Sequence, residues 1–99
     1  MAAKDNVKGY LNDAAPEQCF WVNNGPILKN LEELANALMQ MNDDTFRHHV
    51  NNNKNDFSSW VNDVIGDKKL ANELLSSKTK ISAAKKVVTR LGSLKKKAG

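Results

Sequence analysis

Residues 46–71, FRHHVNNNKNDFSSWVNDVIGDKKLA, decide the fold of this chain, because apolar spacing, capping residues and a polar connection agree there on one local structure. Phe57, Trp60, Val61, Val64 and Ile65 recur at i, i+3, i+4, i+7 and i+8, which places all five on one face of an α-helix. A face of that size has to be buried. Asp56 stands at the N-cap position, where a side-chain oxygen accepts from the free amides of the first turn, and Gly66 stands where the chain leaves through a left-handed conformation. The stretch specifies a helical fold, and no residue in it announces a reaction.

At 99 residues the chain has room for one domain with a modest core and not for a large active-site cavity. A hydrophobic share of 40% beside 26% charged residues places it with globular proteins rather than disordered ones. No run of about 18 apolar residues is present to span a bilayer. The first 18 residues hold no apolar core of the secretory type, so the expectation is a protein made and kept in the cytosol. Cys19 is the only cysteine, which excludes an intramolecular disulfide and a zinc site built on paired cysteines.

The net charge of +4 is unevenly spread. From residue 78 onward there are eight basic side chains (Lys78, Lys80, Lys85, Lys86, Arg90, Lys95, Lys96 and Lys97) and no acidic one, whereas the first 77 residues hold seven basic and eleven acidic side chains, a balance of −4. An acidic body followed by a basic arm suits a polyanionic partner.

Outward from the central stretch, Asn30 with Glu33 forms a capping-box variant that opens a helix over 31–41, with Leu31, Leu34, Ala35, Leu38 and Met41 as its buried stripe. Asn42, Asp43 and Asp44 end it and cap a short helix over 45–50. The polar run 51–55 can only be a loop. After the helix over 57–65, Asp67 caps another with Leu70, Ala71, Leu74 and Leu75 inward, and 76–79 reads as a break. Upstream, residues 19–22 and 27–28 are short apolar runs joined by Asn23-Asn24-Gly25-Pro26, which predicts a hairpin limited by the proline. Residues 1–18 read as a flexible lead-in or one helical turn.

Downstream, residues 80–96 are helical by pattern, with Ile81, Ala84, Val87, Val88, Leu91 and Leu94 on an arc of roughly 140° at about 100° per residue. Lys85, Lys86, Arg90, Lys96 and Lys97 fall opposite. Gly92 costs this helix about 1 kcal/mol relative to alanine and is a candidate early stop. The reading is therefore mainly α: a compact bundle of four to five short helices with a short N-terminal β-hairpin. It divides into a lead-in (1–18), a helical domain (19–77) and a basic amphipathic C-terminal helix or tail (78–99).

Over roughly residues 19–75 the chain resembles a family of small archaeal and bacterial domains of unknown function, the one numbered 5752. The pieces that carry the likeness are Phe20-Trp21-Val22, Gly25, residues 28–38, Phe46 to His49, Asn55-Asp56-Phe57 with Trp60, and Asp67 with Leu70-Ala71. The resemblance implies a helical module and supplies no activity. The basic arm lies outside it.

His48 and His49 beside Asp56 bring to mind a metal site or a general base. Adjacent helical residues point about 100° apart, however, so the expectation is structural: one histidine at the rim of the core, bonded to the 51–55 loop or Asp56, and the other solvated. Cys19 lacks a neighbouring base or electropositive setting and reads as a small buried apolar group. There is no Gly-rich phosphate loop, nucleophile elbow or HExxH motif, so the expectation is no catalytic residue, no cofactor and no metal. Phe46, Phe57 and Trp60 sit at core spacing, against the alternative of a base-stacking platform, which leaves Trp21 as the aromatic to find exposed.

Three readings fit the arm. Its lysines contact nucleic acid, DNA or RNA, as point charges without reading bases; about five phosphates engaged would lower affinity about 500-fold between about 50 and 200 mM salt. Alternatively the Val87, Val88, Leu91 and Leu94 stripe docks on a protein partner or on the domain itself. Or the arm lies on anionic lipid, though without the usual aromatic anchor.

Overall fold

The structure is a computed structural model and describes residues 7–98. Helix α1 (Val7–Tyr10) leads through a 3₁₀ turn (Pro16–Gln18) into strands β1 (Phe20–Trp21) and β2 (Ile27–Leu28). Then follow α2 (Leu31–Gln40), α3 (Asp43–His49), α4 (Asp56–Trp60), a π turn continuing α4 (Val61–Ile65), α5 (Lys68–Leu75) and α6 (Lys80–Ala98). The mainly helical bundle with an N-terminal hairpin is the architecture that the periodicities predict.

Side-chain caps explain where the helices begin. Asn30, Asn42, Asn55 and Asp67 each accept a hydrogen bond from the backbone N–H three residues on, satisfying a first-turn donor of α2, α3, α4 and α5 in turn. Asp56, the expected cap of the central helix, is displaced by Asn55. The amide does two jobs at once: Asn55 Oδ1 accepts from Ser58 N–H while Asn55 Nδ2 donates to the Leu74 carbonyl, and a carboxylate has no such donor. Glu33 reaches back as expected but accepts from Lys29 N–H rather than from the cap residue itself. At the other end of the central helix the N–H groups of Gly66 and Asp67 both reach the Val61 carbonyl, five and six residues back, so the last turn is π. Gly66 then turns the chain with φ 88°.

The hairpin pairs Phe20 with Leu28 and Trp21 with Ile27, the first pair facing inward and the second outward. Asn24, not Gly25, takes the left-handed conformation, at φ 58°. Gly25 is needed for space, because a Cβ there would come within 2.8 Å of Val22 Cγ1.

One core runs through the molecule. Phe20, Phe46, Phe57 and Trp60 form an aromatic cluster, with Phe20 stacked on Phe57 at 4.9 Å between ring centres and Trp60 edge-on to Phe20 at 5.9 Å. Around it pack Leu28, Leu31, Leu34 and Leu38, Val61 and Ile65, and Leu70 and Leu74. The last helix belongs to the same core. Helix α6 lies antiparallel to α2, joined near one end by Lys80 Nζ donating to the Met41 carbonyl and near the other by Lys95 and Glu32. It buries Ala83, Ala84, Val87, Leu91 and Leu94.

A separate arm beginning at residue 78 is therefore not what the chain forms, and Gly92 does not stop the helix. The upstream end is pinned too: Ala14 N–H donates to the Lys29 carbonyl, Trp60 Nε1 donates to the Gln18 carbonyl, and Tyr10 and Leu11 rest on the core. The part of the expected lead-in within residues 1–6 lies outside the described residues.

Because α6 closes the core, removing residues 78–99 is expected to abolish cooperative thermal unfolding followed by circular dichroism. Leu94→Ala, which empties a fully buried site, is expected to cost about 2–5 kcal/mol in urea titration. A truncated chain that still melts cooperatively would refute the shared core.

Candidate functional site

The rotation of α6 about its own axis sorts the eight basic residues. Ala83, Val87, Arg90 and Leu94 follow one another at i, i+4, i+7 and i+11, which is core spacing, so Arg90 faces inward rather than opposite the stripe. Its guanidinium meets Asp67 at the start of α5 through two hydrogen bonds, Nε to Oδ2 at 2.7 Å and Nη2 to Oδ1 at 3.1 Å. Both residues are buried, Asp67 to 1% exposure. The Tyr10 ring lies 5.9 Å from the guanidinium carbon. The hydrogen bonds to Asp67 raise the Arg90 pKa above its ordinary value, against the effect of burial, so the charge is permanent.

Two lysines are also committed within the molecule. Lys80 donates to the Met41 carbonyl at 2.8 Å and stands 3.8 Å from Asp43, and Lys95 pairs with Glu32 at 3.1 Å. Lys78, Lys85, Lys86, Lys96 and Lys97 are exposed and form no ion pair among the described residues. The last four lie on the outward face of α6. Glu73 of α5 shares a shallow depression with Lys85 and Lys86. The candidate site is thus a lysine face of four residues on a rigid helix, smaller than the sequence reading by Lys80, Arg90 and Lys95, which are engaged within the molecule, and by Lys78, which precedes α6.

The apolar stripe of α6 divides likewise. Val87, Leu91 and Leu94 are buried and closed to any other chain, whereas Ile81 and Val88 stay exposed. Sequence spacing carried the signal for Arg90, since it stands three residues after Val87 and four before Leu94. Its charge concealed it.

The histidine pair behaves as its geometry demands. His49 is buried, and its Nε2 accepts from Asn23 N–H at 3.0 Å, so the ring proton sits on Nδ1 and is donated to Asp56 Oδ2 at 3.0 Å. Both nitrogens are committed to holding the hairpin turn against α3 and α4. His48 is exposed. Burial opposes ionisation of Asp56, but the bonds from His49 and Lys54 outweigh it and hold the carboxyl below its ordinary value.

Cys19 is half-buried with Sγ 3.5 Å from the Ala15 carbonyl, and Trp21 is 72% exposed. Among the described residues no group of three or more His, Cys, Asp and Glu side chains converges as a metal site would. Among the same residues no helix is long and apolar enough to cross a membrane.

No family model matches the chain, and neither a curated protein nor a solved structure is significantly similar to it.

Arg90→Met leaves the Asp67 carboxylate buried without its counter-charge and is expected to cost about 3–5 kcal/mol in urea titration. Adding Asp67→Asn, which keeps the α5 cap but removes the charge, is expected to restore much of that loss; an additive double variant would contradict the coupling. The lowered Asp56 pKa means that its ionised form stabilises the fold fully above 3.8, its ordinary value, with the contribution lost as pH falls through the lower folded value. Stability curves of the parent and Asp56→Asn are accordingly expected to converge as pH drops below 3.8, by a modest amount because the side chain is 35% exposed. A gap that widens toward acid would contradict this sign.

Proposed function

We propose that the protein is a non-enzymatic, cytosolic nucleic-acid-binding protein that meets DNA or RNA through the lysine face of α6, without sequence preference. The observation that carries the reading is the set Lys85, Lys86, Lys96 and Lys97: exposed side chains with no ion pair among the described residues, on a helix without a carboxylate. Lys85 and Lys96 stand eleven residues apart, about 16 Å along the axis, over which one strand of a duplex passes about five phosphates. A helix held along α2 presents these charges without the ordering cost that a loose tail incurs on binding.

The kind of contact follows from the residue type. Arg90 is the one arginine of the basic segment, and Asp67 engages it, so what remains are ammonium groups that meet phosphate as point charges. Such contacts position a backbone and carry no base code.

The test is fluorescence anisotropy with a labelled random-sequence duplex and a labelled single-stranded RNA. Four phosphate contacts give a slope of about −3.6 in log affinity against log salt for duplex, an affinity loss of about 150-fold between about 50 and 200 mM. Replacing the four lysines by alanine is expected to remove most of the binding and leave the melting temperature nearly unchanged. A parent protein that ignores both probes at low salt, or a quadruple variant that binds as the parent does, overturns the reading.

A further inference from the structure

Six large apolar side chains remain exposed among the described residues, and three of them, Met39, Ile81 and Val88, line one groove. They are 56, 66 and 46% exposed. The groove runs between α2 and α6, is open to solvent with a volume of about 570 Å³, is lined by Leu38 and Ala84 beneath the exposed side chains, and has Lys85 on its rim. Isolated exposed apolar residues need no explanation, but a cluster on a concave surface between two packed helices does.

We propose that this groove docks an acidic amphipathic helix of a partner protein. The shape is the first argument. Ile81 and Val88 are seven residues apart on α6, two turns or about 10.5 Å, which is the span between the first and last anchors, i and i+7, of an amphipathic helix, and Met39 faces them from α2. Two antiparallel helices with a furrow between them are half of a bundle, and a third helix completes the packing.

Charge is the second argument. No carboxylate lines the groove, while two lysines do. Lys80 is engaged by the Met41 carbonyl and Asp43, but Lys85 is unpaired among the described residues and waits for an acceptor. Glutamates flanking an apolar stripe supply it.

A second copy of this chain fits less well. It would bring the basic rims of two α6 helices to one seam, where Lys85 would meet a like charge instead of a carboxylate. This inference does not rest on nucleic-acid binding, although Lys85 belongs to both surfaces.

The probe is a fluorescein-labelled peptide of leucine and glutamate, about five turns long, with leucine at i, i+3, i+4 and i+7; its counterpart carries lysine for glutamate. Anisotropy is expected to show the acidic peptide binding at least about tenfold more tightly than the basic one. Ile81→Ser with Val88→Ser is expected to weaken it at least about tenfold while leaving duplex binding unchanged, and Lys85→Glu to weaken it severalfold. Thermal melting checks that these surface variants fold.

The proposal is overturned if the parent ignores the acidic peptide, if the serine variant binds it normally, or if both peptides bind alike. It is equally overturned if sedimentation shows a parent dimer that the serine variant dissolves, which assigns the groove to a second copy. Capture by phosphatidylglycerol vesicles that depends on Ile81 and Val88 would assign it to lipid instead.

Discussion

The bidentate contact between Arg90 and Asp67 sets the arrangement of everything exposed on the last helix. One buried carboxylate accepts from the guanidinium twice and from the Leu70 N–H once, so it starts α5 and clips α6 with the same two oxygens. A guanidinium taken out of water needs that pairing, because an uncompensated buried charge is far more costly than a satisfied pair. The pair therefore holds α6 at one angle about its axis. At that angle Lys85, Lys86, Lys96 and Lys97 face outward, Val87, Leu91 and Leu94 face α2, and Ile81 and Val88 are left at the edge.

The same economy of polar groups recurs through the fold. Several polar side chains tie separate elements together: Asn55 caps α4 and bonds the end of α5, Ser58 of α4 donates to the Ala71 carbonyl of α5, and His49 joins the hairpin turn to Asp56. In a chain this small the apolar core is limited, and satisfied polar ties between elements add the specificity that hydrophobic burial alone does not supply. They also account for the residues that look like chemistry in the sequence. His49 has the partners of a base or a ligand, yet both of its nitrogens are occupied in holding the structure together.

Consequently the surfaces available for function are those that the fold leaves unanswered. Among the described residues they include the outward lysines of α6 and the apolar groove beside them, with the Trp21–Ile27 pair on the outer face of the hairpin. The first two share a helix and one residue, Lys85. A polyanion and an acidic helix would therefore meet neighbouring sides of a single element whose position is set by the core.

Much of the architecture was legible in the residues themselves. The periodicity of Phe57, Trp60, Val61 and Ile65, the caps at Asn30 and Asp67, the left-handed exit at Gly66 and the hairpin around Asn24 are local matters, governed by side-chain spacing and backbone preference within a few positions. What only the tertiary structure decided was which partner each face would meet. A charge on a helix reads as solvent-facing until a carboxylate 23 residues away is brought against it, as happens to Arg90. An apolar stripe reads as one surface until a neighbouring helix covers one side of it and leaves the other bare, as happens with Val87 and Val88. Local propensity acts through the nearest few residues, whereas burial and pairing depend on groups distant in sequence, and so the candidate site became visible only when the last helix had been placed.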